Sequence, residues 1–259
     1  MLAGLRSTTL RRALTSVHRS LFLPPGPWVI ETMDGSYYTS DSNDPDLVLH
    51  CVGIALDAGR GLNNGNPATV SRLIEAAHPN LGETVLHVGA GAGYYSALMA
   101  EMVGPQGHVL AAEIDPQLHP QAQANLASWS QVQVVGDALS LTPPPLDVLF
   151  FSNGVADLPV SLFQAVKPGG RVILPLTGSI QGGPIFLLLR LDDGSFQSQM
   201  VAAQRYYPCL GTRGDAAVAA VDAAIDRSSP HEARRLRLDD HEQGEDCWLH
   251  GKGWCFSRT

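Results

Sequence analysis

The sequence lacks a basic excess. Its 259 residues carry 17 Lys and Arg against 25 Asp and Glu, a net charge of −8. That balance argues against a broad footprint for nucleic acid or an anionic membrane, and neither partner is expected. Long apolar runs are missing too: no stretch reaches the roughly 18 residues a membrane helix needs. The four cysteines, Cys51, Cys209, Cys247 and Cys255, include no C-x-x-C pair. A reduced, cytoplasmic protein is therefore the expectation. The tail holds His241, Cys247, His250 and Cys255, but their spacing matches no common zinc pattern. No metal site is expected, and the tail reads as a loosely packed extension. There is no internal repeat.

What is present is a 44% hydrophobic chain, long enough to bury a real core. Its most informative stretch is VLHVGAGAGYYSALMAEMVG, from Val85 to Gly104. It reads as a buried strand, a tight turn with Gly89, Gly91 and Gly93, and a helix. Such a turn lets a ligand lie against bare backbone. The helix that follows points its first N–H groups at the same place. A dinucleotide loop would be G-x-G-x-x-G, but Tyr94 stands where the third glycine would be. The form G-x-G-x-G plus an aromatic resembles that of S-adenosylmethionine methyltransferases. A nicotinamide dehydrogenase is thus a distant alternative.

Two acids follow in order. Glu113 ends the apolar run HVLAAEID, about 20 residues after the glycines, where a carboxylate accepts both ribose hydroxyls. Asp137 follows the run QVQVV and Gly136. The resemblance to S-adenosylmethionine methyltransferases implies that it faces the adenine amino group. A helix N-terminal charge and a turn residue are the plainer readings of these two acids. The expected cofactor set is His87, Gly89, Ala90, Gly91, Gly93, Tyr94, Glu113, Ile114, Gly136, Asp137, Ala138 and Asn153. Asn153 is included because ligands collect at strand carboxyl ends.

Alternation of strands and helices predicts a doubly wound, mostly parallel sheet. The strands are placed at Thr84–Val88, His108–Glu113, Val132–Val135, Asp147–Ser152 and Arg171–Leu176. The helices are placed at Pro67–Ala77, Tyr94–Val103, Gln117–Trp129 and Pro159–Val166. A hairpin, Pro184–Leu191 with Gln199–Tyr206, closes the series. Residues 1–30 read as a helix ending at Pro24 and Pro25, with Leu2, Leu5, Leu10, Leu14, Val17 and Leu21 near one face. An Arg- and Ser-rich start with no acid before Glu31 also suits a transit peptide. Residues 31–66 read as irregular around one strand, LVLHCVGIAL, with His50 packed in its core. From Asp215 on, an alanine-rich helix and a polar tail are expected, with HEARRLRLDD as the charged side of a surface helix.

Four segments resemble protein-L-isoaspartate O-methyltransferases, over roughly residues 10–212. VHRSLFLPP is similar to the family's Val-Pro-Arg-Glu and Phe-Val-Pro segment, which favours native structure over a transit peptide. GLNNGNPATVSRLIEAA lies where the family has Gly-Gln-Thr-Ile-Ser-Gln-Pro and a helix. VLHVGAGAGYYSALMAEMVG resembles its glycine signature. AVKPGGRVILPL and IFLLLRLDDGSF resemble its last core strands. The resemblance implies a Rossmann-like, seven-stranded methyltransferase core at 78–212, a substrate-loop segment at 1–77 and an extension at 213–259. It implies S-adenosylmethionine as cofactor and methyl transfer to a carboxylate of a protein or peptide. The acceptor-facing element is then Asn63, Asn64, Gly65 and Asn66, for which a plain turn is the other reading. The chain differs from the family at two places. Asn63 and Gly65 stand where the family has hydroxyls, and His87 stands where it has an acid. A small-molecule or modified-peptide acceptor is one alternative these changes raise. A non-catalytic S-adenosylmethionine-binding protein is the other.

Overall fold

A computed structural model describes residues 4–32, 36–180 and 182–259. The chain forms two compact units. One holds the residues up to Glu83 together with Ala90–Asp137, and the other holds Thr84–Gly89 with Ala138–Thr259.

The first unit begins with α1 (Thr8–Ser16) and a 3-10 turn at Arg19–Phe22. Ser7 caps α1 by accepting from the Leu10 N–H. A four-stranded antiparallel sheet follows, ordered β2 (Tyr37–Thr39), β1 (Val29–Glu31), β3 (Gly53–Asp57) and β4 (Leu62–Asn63). Leu23, Trp28, Ile30, Val48 and Ile54 form its core. Helix α2 (Pro67–Ala77) starts at Pro67 because Asn66 caps it, accepting from the Ala68 N–H. Helix α3 (Tyr94–Val103) is buried nearly all round, as its apolar sequence requires. Strands β6 (His108–Ala112) and β7 (Val132–Val135) pair in parallel around α4 (Leu118–Leu126).

In the second unit, β8 (Leu146–Phe151) lies parallel between β5 (Thr84–Val88) and β9 (Val166–Pro175). Helix α5 (Val160–Gln164) leads into β9, and Arg190 Nη1 caps its end by donating to the carbonyls of Phe163 and Gln164. Strands β10 (Gly182–Arg190) and β11 (Phe196–Arg205) form the expected antiparallel hairpin on β9. Helix α6 is Asp215–Arg227. Three further strands then extend the β11 edge: β12 (Arg235–Arg237), β14 (Trp254–Ser257) and β13 (Cys247–Gly251).

The seven expected core strands are β5 to β11, and the α/β class stands. Four local expectations are corrected. The N-terminal helix is short, because Val17 leaves helical dihedrals and Pro24 to Pro27 cannot continue it. Leu5, Leu10 and Val17 of its stripe are buried, Leu21 is 69% exposed, and Leu2 lies outside the described residues. Segment 31–66 holds ordered sheet, while the first half of LVLHCVGIAL is a 3-10 turn started by Asp44 and Pro45. His50 sits exposed at its end and is no core residue. Strand β9 starts five residues early, at Val166.

The largest correction is the tail. It is packed, with Trp248, Trp254, Cys255 and Phe256 fully buried. Arg235–Arg237, inside HEARRLRLDD, is a strand with Leu236 inward. Among the described residues no helix is long and apolar enough to cross a membrane.

Candidate active site

The glycine turn forms as its sequence demands. Gly91 has φ +58° and Gly93 φ +97°, values that favour glycine. At Gly93 a Cβ would also meet Leu126 Cδ1 at 2.8 Å, so close packing on α4 requires a bare backbone there. Asn125 Nδ2 ties the turn down by donating to the Ala92 carbonyl at 2.9 Å. Ala90 donates to the Ala112 carbonyl at the end of β6.

Glu113 closes the turn from the other side. Its Oε2 accepts from the Gly91 N–H at 2.6 Å, and its Oε1 accepts from the Asp115 N–H at 2.9 Å. Each carboxylate oxygen keeps a lone pair for a further donor. Glu113 is 7% exposed, and burial pushes its carboxyl above the usual range against the pull of the Asp115, Gly91 and Ile114 N–H groups. Next to it Ile114 is an apolar side chain left 50% exposed. Gly136 is exposed and Asp137 half-buried at the end of β7.

Arg60 braces this acid's loop, a role that could not be read from the sequence. It pairs with Asp57 at 2.7 Å and Asp115 at 2.5 Å and donates to Gln117 Oε1. Both carboxyls are held below their ordinary values by that guanidinium. The Asp57-x-x-Arg60 spacing signals only the local pair and not the reach to Asp115.

The loop 63–66 lies in the same unit, and its side chains are largely occupied in building it. Asn63 Nδ2 donates to Glu31 Oε2 at 2.9 Å, and Asn63 Oδ1 accepts from the Gly65 N–H at 2.7 Å. Asn66 caps α2 and donates to the Cys51 carbonyl. Asn64 is buried and accepts from Arg19 Nε at 3.1 Å. Arg19 is 1% exposed and also donates to the carbonyls of Val48, Val52 and Gly65. Burial lowers its pKa, but a guanidinium remains charged at neutral pH. Among the described residues no carboxylate pairs with Arg19. In the sequence it stands out only as part of VHRS.

Tyr94 points into the core. It is 1% exposed and packs on Phe22 and Tyr95, with ring centroids at 5.6 and 5.0 Å. Desolvation pushes its phenol up to about 12.

In the second unit, Gly89 follows β5 beside Asn153, whose Nδ2 lies 2.8 Å from where a Cβ on residue 89 would stand. Asn153 Oδ1 is buried without a hydrogen-bond partner among the described residues. A buried orphan acceptor suits a ligand donor. Ala138 is buried. His87 is fully buried on β5, edge-on to Phe150, with Nε2 at 2.8 Å from Ser152 Oγ.

Desolvation pulls the His87 pKa down to about 3. The imidazole is therefore neutral near neutral pH, and it would not repel a cationic cofactor as a charged ring would. The sign for stability follows from linkage. The unfolded chain takes up this proton near ~6.5 and the folded chain only near about 3, so acid favours unfolding across that window. His87→Gln is expected to flatten part of the stability loss between about pH 6 and 4, measured by urea denaturation at each pH. Parallel profiles for both proteins would contradict a buried neutral His87.

Comparison with known proteins gives one family. The family model described as protein-L-isoaspartate(D-aspartate) O-methyltransferase matches residues 49–214. A Methanopyrus kandleri protein-L-isoaspartate O-methyltransferase is 30% identical over 82% of this chain and 88% of its own length. One from Aeropyrum pernix is 32% identical over 80% of this chain and 75% of its own. A solved structure described as a protein-L-isoaspartate O-methyltransferase superposes with a TM-score of 0.63 at 24% identity. It matches 82% of this chain, which spans 64% of that longer protein. A Plasmodium falciparum structure, described as a putative protein-L-isoaspartate O-methyltransferase in complex with S-adenosyl-L-homocysteine, gives 0.54 at 12% identity. It matches 78% of this chain and 90% of its own.

Proposed function

Because the chain belongs to the protein-L-isoaspartate(D-aspartate) O-methyltransferase family, we propose that it transfers a methyl group from S-adenosylmethionine to an isoaspartyl carboxylate of a protein or peptide. S-adenosylmethionine brings a methyl already activated on a sulfonium. The chain's residues supply position and charge.

The observation that carries the reading is the pairing of Glu113 with the Gly91 N–H. It holds a carboxylate with spare lone pairs beside a bare turn, which fits a ribose diol. Glu113 would accept from the two hydroxyls. Gly91 and Gly93 leave the room, and Gly89 and Ala90 belong to the same turn by chain continuity. Exposed Ile114 would cover one face of the adenine, with Gly136, Asp137 and Ala138 at its edge. Asn153 Oδ1 would take a donor from the amino-acid end. His87, in the same unit as Asn153, is neutral and hydrogen-bonded to Ser152, so it adds no charge that would repel a cation. Tyr94, whose ring lies in the core, would take part through its backbone at the start of α3.

A carboxylate acceptor is ionised at neutral pH and needs no general base. Loop 63–66 would present backbone and the second N–H of the Asn63 and Asn66 amides, each amide nitrogen carrying two hydrogens. Arg19 would position that loop and add one fixed positive charge behind it. Residues 1–77 serve here as the substrate-loop segment, 78–212 as the cofactor-binding core and 213–259 as the extension.

A second reading keeps the cofactor and changes the acceptor to a small molecule or modified peptide. It is favoured by Gly65, which has no side chain, and by the occupied amides around it.

The test is calorimetric titration with S-adenosylmethionine on the wild type and Glu113→Gln. The variant sets an amide NH₂ against a backbone N–H and loses a charge-assisted partner for the ribose. Affinity should fall by about 2–3 kcal/mol. A change below a few tenths of that would place the ribose elsewhere. Acid should weaken wild-type binding through a pKa above that of an ordinary glutamate, because the protonated carboxyl loses acceptor capacity.

A further inference from the structure

The C-terminal strands bring together four side chains that methyl transfer does not use. Strand β13 carries Cys247 and His250, β14 carries Cys255, and the loop before β13 carries His241. Each offers one ligand atom, and all four atoms lie within 4.8 Å of one another. Cys247 Sγ is 3.0 Å from Cys255 Sγ, 3.4 Å from His241 Nε2 and 3.9 Å from His250 Nδ1. Zinc bonds of about 2.3 Å to sulfur and 2.0–2.1 Å to nitrogen give a tetrahedron with edges of about 3.3–3.8 Å. The three edges that meet at Cys247 Sγ need sub-ångström shifts to meet that figure, and the other ligand atoms lie within 4.8 Å of one another.

The surroundings fit an ion as well. Both thiols are buried and both imidazoles half-buried, so the four donors face inward together. The two rings meet edge to face, at 4.8 Å and 85°. His241 Nδ1 lies 3.3 Å from the Asp239 carbonyl and 3.4 Å from its carboxylate. That contact fixes the tautomer, leaving the Nε2 lone pair for a metal. Asp239 and Asp246 are both paired with Arg237, which leaves the rim one net negative charge, a sign that suits a cation.

We propose that His241, Cys247, His250 and Cys255 bind one Zn²⁺ ion in a closed, structural site. Two thiolates and two imidazoles are a soft, tetrahedral donor set that selects zinc among common divalent ions. The ion ties the loop before β13 to the β13–β14 hairpin. Strand β12, through which β14 joins the sheet, has only three residues, so the ion would add to a short ladder. Spacing alone did not mark the site, because H-x5-C-x2-H-x4-C follows none of the common zinc patterns and depends on the hairpin to bring its ligands together.

The experiment is metal analysis by plasma mass spectrometry of the full chain purified without chelator, with thiol titration alongside. One zinc per chain is expected. Its removal by a strong chelator should lower the melting temperature, and added Zn²⁺ should restore it. Co²⁺ in its place should give the intense visible bands of a tetrahedral thiolate site. His241→Gln and His250→Gln alter half-buried side chains and are the variants to use should buried Cys255→Ser fail to fold. Each should lose zinc, and Asp239→Asn should weaken it roughly ten- to a hundredfold. Cys51→Ser, at an exposed thiol that is not one of the four ligands, should retain it. A folded chain that binds neither Zn²⁺ nor Co²⁺ after reduction overturns the proposal. So does a chain whose only linkage here is a Cys247–Cys255 disulfide that forms in preference to metal binding.

Discussion

Gly91→Arg abolishes S-adenosylmethionine binding while the chain stays folded. A Cβ at residue 91 would sit 3.6 Å from Leu56 Cδ1, an ordinary contact, so the first carbon fits. The φ of +58° costs an L-residue about 1–2 kcal/mol, which a folded domain tolerates. The rest of an arginine chain must enter the space over the turn, beside the N–H that Glu113 holds. It fills the volume the cofactor needs and brings positive charge toward a sulfonium. Gly91→Ala separates the two effects, since it carries the strain without the bulk. Calorimetry should give no detectable binding for the Arg variant and weakened binding for the Ala variant, with both melting cooperatively. Unchanged affinity in Gly91→Arg would remove the turn from the cofactor site.

Arg19→Met should cost the fold on the order of 3–5 kcal/mol. Four acceptors lose their donor at once: Asn64 Oδ1 and the carbonyls of Val48, Val52 and Gly65. Each buried acceptor left unpaired costs about 1–3 kcal/mol, partly offset because a guanidinium is no longer held out of water. Arg19→Lys should recover only part of the loss, because an ammonium lacks the planar fork that reaches several carbonyls. Urea denaturation reads the stability, and protease nicking between residues 61 and 66 reads the loop. A loss under about 1 kcal/mol with a protected loop would mean that the asparagines hold the segment without Arg19.

Much of the core was legible because punctuation set its limits. Helix α2 runs Pro67–Ala77 as expected, since the Asn66–Pro67 pair both caps and starts it. Helix α3 runs Tyr94–Val103 between two glycines, and β5 and β7 also match residue for residue. The short strands were not legible. Val29–Glu31 and Arg235–Arg237 have three residues each, too few to show a period of two. Charged neighbours also give Arg235–Arg237 the pattern of an exposed helix face. The tail's burial depends on Trp248, Phe256 and Phe186 meeting across strands, with ring centroids at 5.0–6.3 Å, which no local pattern displays.

The site divides in the same way. Glu113 and the glycines lie at strand ends, where position alone suggests a role. Arg19 reaches groups 29 to 46 residues away, and Arg60 joins its neighbour Asp57 to Asp115 and Gln117, 55 and 57 residues on, so only the fold reveals these roles. The asparagine loop admitted two readings, acceptor contact and turn. Its side chains mostly serve the turn, and the proposed acceptor contact therefore rests on backbone and spare amide hydrogens.

The most direct measurement is methyl transfer from S-adenosylmethionine to a peptide carrying isoaspartate and to its aspartyl twin, in one preparation whose cofactor binding has been measured. The account predicts a base-labile methyl ester on the isoaspartyl peptide and none above background on the twin. Cofactor binding without transfer to either peptide, or equal transfer to both, would contradict it.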